Sequence, residues 1–213
     1  MTNPLLESRL EKLRDAIDQL SLIVDDNLRS VLLRLTCDQA VASASACTDI
    51  GAAARTVRER CMTFLAREHP LAYDLKFAMA SLRIGHDYER IQELSDSLNG
   101  RIDKLVGTPV QGVMQNMTGV MADILKLHEL VRKTWQRDRS SGNVQADAAK
   151  LVHAIHSQIT AVQSKIMDSI SSGGSDAETV VEIVLACRHL KRIATTMEAI
   201  PDDFHAFDIV ERS

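Results

Sequence analysis

The chain has 213 residues, a formal net charge of −4 and an isoelectric point near 6.0. This acidic balance provides no overall attraction to nucleic acid and no polybasic membrane anchor. Hydrophobic residues make up 45% of the chain but aromatic residues only 3%, which favours helix packed on helix over sheet on sheet. We expect a soluble cytoplasmic protein without membrane insertion, because charges interrupt the N-terminal region and no run reaches about 18 apolar residues.

Apolar residues recur every three or four positions through the first part of the chain, which predicts two amphipathic helices. The first stripe covers residues 10–35. After a short break, Asp38 is suited to cap a second helix over residues 40–64, which is richer in alanine. None of the cysteines has the spacing of a zinc site, so we expect buried thiols at Cys37, Cys47, Cys61 and Cys187.

The third predicted helix, residues 70–106, carries the most informative polar residues. Pro70 lies at its entrance, where proline is favoured. Glu89 and Glu93 lie one turn apart on one face, so their carboxylates repel each other unless a cation lies between them. The pair is therefore solvated, balanced by arginine, or half of a site for a hard metal ion, and the spacing alone does not decide between these.

A glycine–threonine–proline segment at residues 107–109 ends the third helix and separates the two halves of the chain. Three further apolar stripes predict helices over residues 110–135, 144–170 and 177–199. Asp176 is suited to cap the sixth helix, and Pro201 is expected to end it.

The two halves show signs of an internal duplication. Asp74 and Asp176, Arg90 and Arg192, and Ile91 and Ile193 form identical pairs, each 102 residues apart. The sequence therefore predicts an all-α fold of two tandem three-helix bundles with six long antiparallel helices. The bundles would cover residues 1–106 and 110–200, followed by a C-terminal tail at 201–213 that either docks on a bundle or stays disordered.

The third helix resembles the PhoU family of phosphate-signalling proteins. Residues 69–76, HPLAYDLK, are similar to the family pattern QPVAxDLR, and residues 87–93, DYERIQE, are similar to DLERIGD. The resemblance implies a cytoplasmic helical adaptor that represses phosphate uptake and the phosphate-starvation response. It also implies two partners, the ATPase subunit of the phosphate ABC transporter and a sensor histidine kinase.

The resemblance further implies metal-binding E(D)xxxD motifs on the inner helices, from which this sequence departs. Glu89 and Glu93 fit the motif in the first repeat, and Asp49 is a third candidate ligand. In the second repeat Lys191 and Thr195 stand at the equivalent positions. We therefore expect at most one weakly bound divalent or iron ion, and the Lys191 ammonium could supply a fixed positive charge between helices instead.

Two other polar groups on the later helices are candidates for binding. His153 and His156 are spaced to hold a transition metal, but exposed histidines without a metal are the simpler interpretation. A basic cluster could meet an anion or an acidic partner, although a solvated face is the simpler interpretation there as well. This cluster consists of Arg188, His189, Lys191 and Arg192.

We do not expect an enzyme, because the chain has no Walker loop and no GxGxxG, HExxH or GxSxG motif. The interpretation that the sequence favours is a homodimeric negative regulator of phosphate signalling. Two alternatives stay open. One is a helical iron- or manganese-binding protein, and the other is a PhoU paralogue with a different regulatory partner.

Overall fold

The computed structural model describes residues 4–36, 49–68, 70, 72–108, 111–136, 143–171 and 176–205. Within these ranges the chain forms six α-helices and no strand, which confirms the predicted all-α class. The helices are α1 (Pro4–Thr36), α2 (Ile50–Glu68), α3 (Ala72–Leu105), α4 (Gln111–Arg132), α5 (Val144–Ser171) and α6 (Ala177–His205). None of them is both long enough and apolar enough to cross a membrane.

Capping side chains and one glycine fix several of the helix ends. Asp49 Oδ1 accepts a hydrogen bond from the Ala52 amide at 2.9 Å and so caps α2. Asp176 Oδ1 accepts one from the Thr179 amide at 2.8 Å, which confirms the predicted cap of α6. Gly107 follows α3 with a φ of 79°, a left-handed conformation that glycine adopts without a steric penalty.

The six helices form two triplets that share one core. Helices α1, α2 and α3 pack against one another, and α4, α5 and α6 do the same. Helix α3 also packs along α6, and α1 packs along α4, so one cluster of buried apolar side chains runs through both triplets. The predicted tandem arrangement is confirmed, and each fully buried large aliphatic side chain stabilises it by roughly 1.5–3 kcal/mol.

The pairing of α3 with α6 is the broadest contact between the two triplets. At one end, Arg101 Nη1 lies 2.9 Å from Glu182 Oε2, and Lys104 Nζ lies 2.7 Å from Glu182 Oε1. At the other end, Arg83 Nη1 lies 2.6 Å from Asp203 Oδ1. The two helices are therefore antiparallel.

This antiparallel register brings equivalent positions of the two repeats close together only near the middle of the pairing. Ile91 and Ile193 are 102 residues apart in the sequence, and the ion pairs at the two ends place both near the middle of the pairing. Both are buried, with exposed fractions of 1% and 0%. The two halves are thus related approximately by a twofold axis that passes near these isoleucines.

The buried face of α3 differs from the predicted stripe in its first half. The spacing of apolar residues every three or four positions places Leu75 and Leu82 on that stripe, yet Leu75 is 41% exposed and Leu82 is only half-buried. Phe77, Ile84 and Tyr88 are buried instead. The reason is that α3 packs against α1, α2 and α6 together, which buries a wider face than a simple amphipathic stripe predicts.

The prediction that the sixth helix ends at Pro201 is wrong, because α6 continues through this proline to His205. A proline inside a helix removes one backbone hydrogen bond. The residues that follow it pack closely: the Phe204 ring centroid lies 5.7 Å from that of Phe77 and 6.3 Å from that of Trp135. The first residues of the predicted tail therefore dock on the bundle, and this packing offsets the cost of the proline.

Some predictions concern residues that the structure does not describe. Residues 37–48, with the predicted cap Asp38, and residues 206–213 lie outside the described part of the chain. Two predicted buried thiols are confirmed, since Cys61 and Cys187 are both inaccessible to solvent. Burial raises the pKa of Cys61 to about 12 and that of Cys187 to about 11, so both stay protonated at neutral pH.

Candidate functional site

The polar face of α3 forms one wall of a groove of about 670 Å³. The first residues of α2 and the middle of α6 form the other walls. Glu89 and Glu93, the carboxylates predicted from the motif, both line this groove, together with Arg90 from α3 and Arg192 from α6. The groove therefore lies where the two repeats meet.

Glu89 already has a cationic partner on α2. Arg58 Nη2 lies 3.2 Å from Glu89 Oε2, and the glutamate side chain is 30% exposed. The spacing of the two glutamates left open solvation, balance by arginine, or half of a metal site. For Glu89 the structure shows balance by arginine. Glu93 lies one turn further along and is exposed in the groove.

Asp49, the third candidate ligand, is occupied as the cap of α2. Besides accepting the Ala52 amide through Oδ1, its Oδ2 lies 3.4 Å from Arg55 Nη2. The side chain is 66% exposed. Asp49 is adjacent to the groove residues Ile50 and Gly51, but both of its oxygens already have partners in the first turns of α2.

In the part of the chain that the structure describes, no group of three or more His, Cys, Asp or Glu side chains is arranged to hold a metal ion. Glu89, Glu93 and Asp49 therefore do not converge on one point. A multinuclear cluster needs several carboxylates to balance its charge, and this groove places arginine beside them. Weak binding of one ion by Glu89 and Glu93 stays a prediction.

The second repeat carries no carboxylate pair at the equivalent positions of α6. The Thr195 hydroxyl donates to the Lys191 carbonyl at 2.9 Å and lies 3.3 Å from His156 Nε2 on α5. Lys191 is exposed and does not line the groove, and its role as a fixed charge between helices stays a hypothesis. Arg192, the next residue, and His189 line the groove instead.

Sequence reasoning missed a buried polar network between the two triplets. His128 on α4 is fully buried, and its Nδ1 lies 3.4 Å from Asp25 Oδ1 on α1. Its Nε2 lies 3.2 Å from the hydroxyl of Tyr88 on α3, which is also fully buried. Arg29 Nε lies 2.6 Å from the second oxygen of Asp25. The network thus joins three helices through hydrogen bonds in the shared core.

Burial and hydrogen bonding shift the pKa values of this network. The hydrogen bond from His128 is the main cause that lowers the pKa of Asp25 to about 2, assisted by Arg29. Burial lowers the pKa of His128 below its usual value, although Asp25 opposes this shift. Burial also raises the pKa of Tyr88. At neutral pH the network therefore contains an ionised aspartate, a neutral imidazole and a neutral phenol.

Comparison with known proteins identifies the fold. No protein-family model and no curated protein sequence matches the chain. Among solved structures, the crystal structure of PhoU from Pseudomonas aeruginosa matches with a TM-score of 0.83 and 17% sequence identity, covering 97% of this chain and 99% of that one. The chain has the PhoU fold. At this level of identity the likeness is one of fold.

The structural match and the sequence pattern of residues 69–93 point to the same fold, that of PhoU. The structural match extends over nearly the whole of both chains, whereas the sequence motif covers only part of α3. The PhoU fold of this chain places the motif residues Glu89, Arg90 and Glu93 in the groove between the repeats. Tyr88, which stands where the family pattern has leucine, lies in the buried network.

Proposed function

We propose that this chain is a cytoplasmic, non-enzymatic negative regulator of phosphate uptake and phosphate-starvation signalling. The observation that carries the proposal is the full-length match of its fold to PhoU, combined with the PhoU-like motif on α3. In this role the chain is a helical adaptor. It contacts the ATPase subunit of the phosphate ABC transporter on one side and a sensor histidine kinase on the other.

Exposed apolar side chains near the ends of two helix hairpins support a docking role. In the first triplet, Met62 on α2 and Leu75 and Met79 on α3 are 58%, 41% and 47% exposed. In the second triplet, Met167 on α5 and Val181 on α6 are 59% and 53% exposed. Apolar residues grouped on a soluble surface are typical of protein interaction sites. We propose that each repeat uses these residues as the docking surface for one partner.

Metal chemistry is not required for this adaptor role. The Arg58 guanidinium beside Glu89 supplies positive charge inside the first triplet, so a metal ion is not needed to balance that carboxylate. We propose at most one weakly bound divalent or iron ion at Glu89 and Glu93. Stoichiometric iron or manganese that survives dialysis of the purified protein would instead favour a metal-binding function.

The test of the proposal is deletion of the gene in its native host. We expect alkaline phosphatase to become constitutive in phosphate-rich medium, because the repressing adaptor is lost. Repression should return with the parent gene but not with a Met79→Glu, Val181→Glu double variant, which places a charge on each docking surface. A Leu22→Glu variant is the matched control, since Leu22 is 43% exposed near the middle of α1, away from both hairpin ends. Unchanged phosphatase expression in the deletion strain would refute the proposal and leave a paralogue with another partner.

We also propose that the adaptor is a homodimer. A dimer would present each docking surface twice and raise the local concentration of both partners. Sedimentation equilibrium of the purified chain measures this directly. A mass that stays at one chain, 23.6 kDa, across micromolar concentrations would contradict it.

A further inference from the structure

Two equivalent arginines from the two repeats line one groove. Arg90 on α3 and Arg192 on α6 are 102 residues apart, and the antiparallel pairing of these helices brings both to the same cavity. Neither forms an ion pair with any residue that the structure describes. Other arginines of α2 and α3, such as Arg58 and Arg101, do form such pairs. The groove therefore contains two guanidinium groups whose donors are available.

Two arginines and two glutamates line this groove. Glu89 is paired with Arg58, a residue outside the groove lining, and Glu93 is the second carboxylate of the groove. Asp87 on α3 also lies within electrostatic reach of Arg90. His86 and His189 also line the groove.

Arginine side chains also surround His189 at this groove. Burial lowers the pKa of His189 first, and the nearby guanidinium groups of Arg101, Arg192 and Arg188 lower it further. A bound anion would offset the positive potential at this imidazole.

The size and lining of the groove set the kind of molecule that fits. Its volume of about 670 Å³ falls within the roughly 300–1,000 Å³ that is usual for small-molecule sites. A single oxyanion would occupy only a small part of it. Guanidinium groups bind carboxylate and phosphate oxygens through paired hydrogen bonds, and here the two groups come from different helices. Ile50 and Leu94 supply apolar surface between the polar groups.

We propose that this groove is a binding site for a small polyanion, a molecule with at least two phosphate or carboxylate groups that Arg90 and Arg192 bind together. Glu93 lies in the same groove and competes with the ligand for these guanidinium groups. The inference stands apart from the proposed regulatory function, because it uses only the charges and shape of the groove.

Calorimetric titration of the full chain with pyrophosphate and with citrate tests the site. We expect saturable binding of at least one probe with one site per chain, and the preferred probe distinguishes a phosphate ligand from a carboxylate ligand. Arg90→Gln and Arg192→Gln should each weaken binding by about tenfold, as expected for the loss of a charge-assisted hydrogen-bonding group. Glu93→Gln should strengthen binding, because it removes the competing carboxylate.

The matched control is Arg188→Gln, which removes an exposed arginine one turn away on α6 that does not line the groove. Its affinity should stay within about twofold of the parent, since only the diffuse field changes. Arg90, Arg188 and Arg192 are all exposed, so the three arginine variants should melt at the same temperature as the parent. NMR titration of His189 should show its pKa rise when the probe binds. Failure of both probes to bind at millimolar concentration, or equal weakening by Arg188→Gln, would overturn the proposal.

Discussion

The Asp25 carboxylate on α1 and the His128 imidazole on α4 face each other across the two triplets, with Oδ1 and Nδ1 3.4 Å apart. His128 is fully buried, and on its other side it meets the Tyr88 hydroxyl. The three residues come from distant parts of the sequence, so their hydrogen bonds form only when the triplets are packed together. The network therefore helps to determine the relative orientation of the two triplets.

The folded protein should become more stable as pH rises through the range in which His128 loses its proton in the unfolded chain. The pKa of His128 is below 6.5 in the folded state, so the unfolded chain binds more protons just below this pH. Three carboxyl groups whose pKa values burial raises, those of Asp74, Asp87 and Asp203, oppose this trend at lower pH. His128 itself makes the unfolding free energy increase with pH just below 6.5. His189, whose pKa is also lowered, contributes in the same direction. Urea denaturation at several pH values measures the slope.

The His128→Gln variant isolates the contribution of the network. It should lose about 1–3 kcal/mol at pH 7, because the polar atoms of Asp25 and Tyr88 are left imperfectly paired, and its pH slope should be shallower than that of the parent. His153→Gln is the control, since His153 is exposed on α5. An identical slope in parent and His128→Gln would show that His128 titrates normally.

Removal of Arg58 should increase metal binding at the first repeat. Arg58 lies against Glu89 and competes with any cation for its carboxylate, so Arg58→Ala leaves Glu89 and Glu93 free to share a divalent ion. We expect manganese affinity to rise about tenfold, measured by electron paramagnetic resonance of free Mn²⁺. The unfolding free energy should change by less than about 1 kcal/mol, because Arg58 is 52% exposed.

Arg67→Ala is the matched control for this change, because it removes another exposed arginine from α2. It should leave manganese affinity unchanged. If Arg58→Ala binds no more manganese than the parent does, Glu89 and Glu93 are not a latent metal site.

The segment of α6 beyond Pro201 should stabilise the whole bundle. Phe204→Ala removes a ring that contacts both Phe77 and Trp135, and we expect a loss of about 2 kcal/mol, since the ring is only half-buried. Trp135 is the only tryptophan of the chain, so its fluorescence reports both unfolding and the local change. Val181→Ala, at a site that is 53% exposed, should cost less than about 0.5 kcal/mol. A parent-like midpoint for Phe204→Ala would mean that the segment is not docked.

A charge in the buried face of α3 should unfold the chain. Ile84 is completely buried, so Ile84→Asp places a carboxylate in the core without a partner and should abolish the cooperative transition. Leu75→Asp tests the observed face of the helix, because Leu75 is 41% exposed and should tolerate the change. Circular dichroism on heating distinguishes the two variants. Equal melting of both would place the core of α3 on another face.

Local sequence patterns placed most of the helices but not the contacts between them, and they missed the start of α2 at Ile50, where Asp49 is the cap. The fifth stripe predicted residues 144–170, and α5 covers Val144–Ser171, because period and capping depend on neighbours in the chain. The motif also identified Glu89 and Glu93. Their surroundings depend on how the helices rotate and pack, so Arg58, which is 31 residues from Glu89, was not found.

The same limitation explains the other differences. His128 and Asp25 are 103 residues apart. Each lies beside an apolar residue in the sequence, and no sequence pattern indicates that the two side chains meet. Pro201 carries a strong local signal for the end of a helix. That signal was overridden by the packing of Phe204, which depends on residues in α3 and in the turn after α4.

The docking of Phe204 on Phe77 also affects the order in which the protein can mature during synthesis. Helix α3 leaves the ribosome long before the segment that covers its first buried aromatic ring. Until that segment appears, the nascent first half exposes an uncovered apolar surface to chaperones and to other nascent chains. The core is therefore covered by the last turn of α6, and translation that stops before α6 is complete would leave a product prone to aggregation.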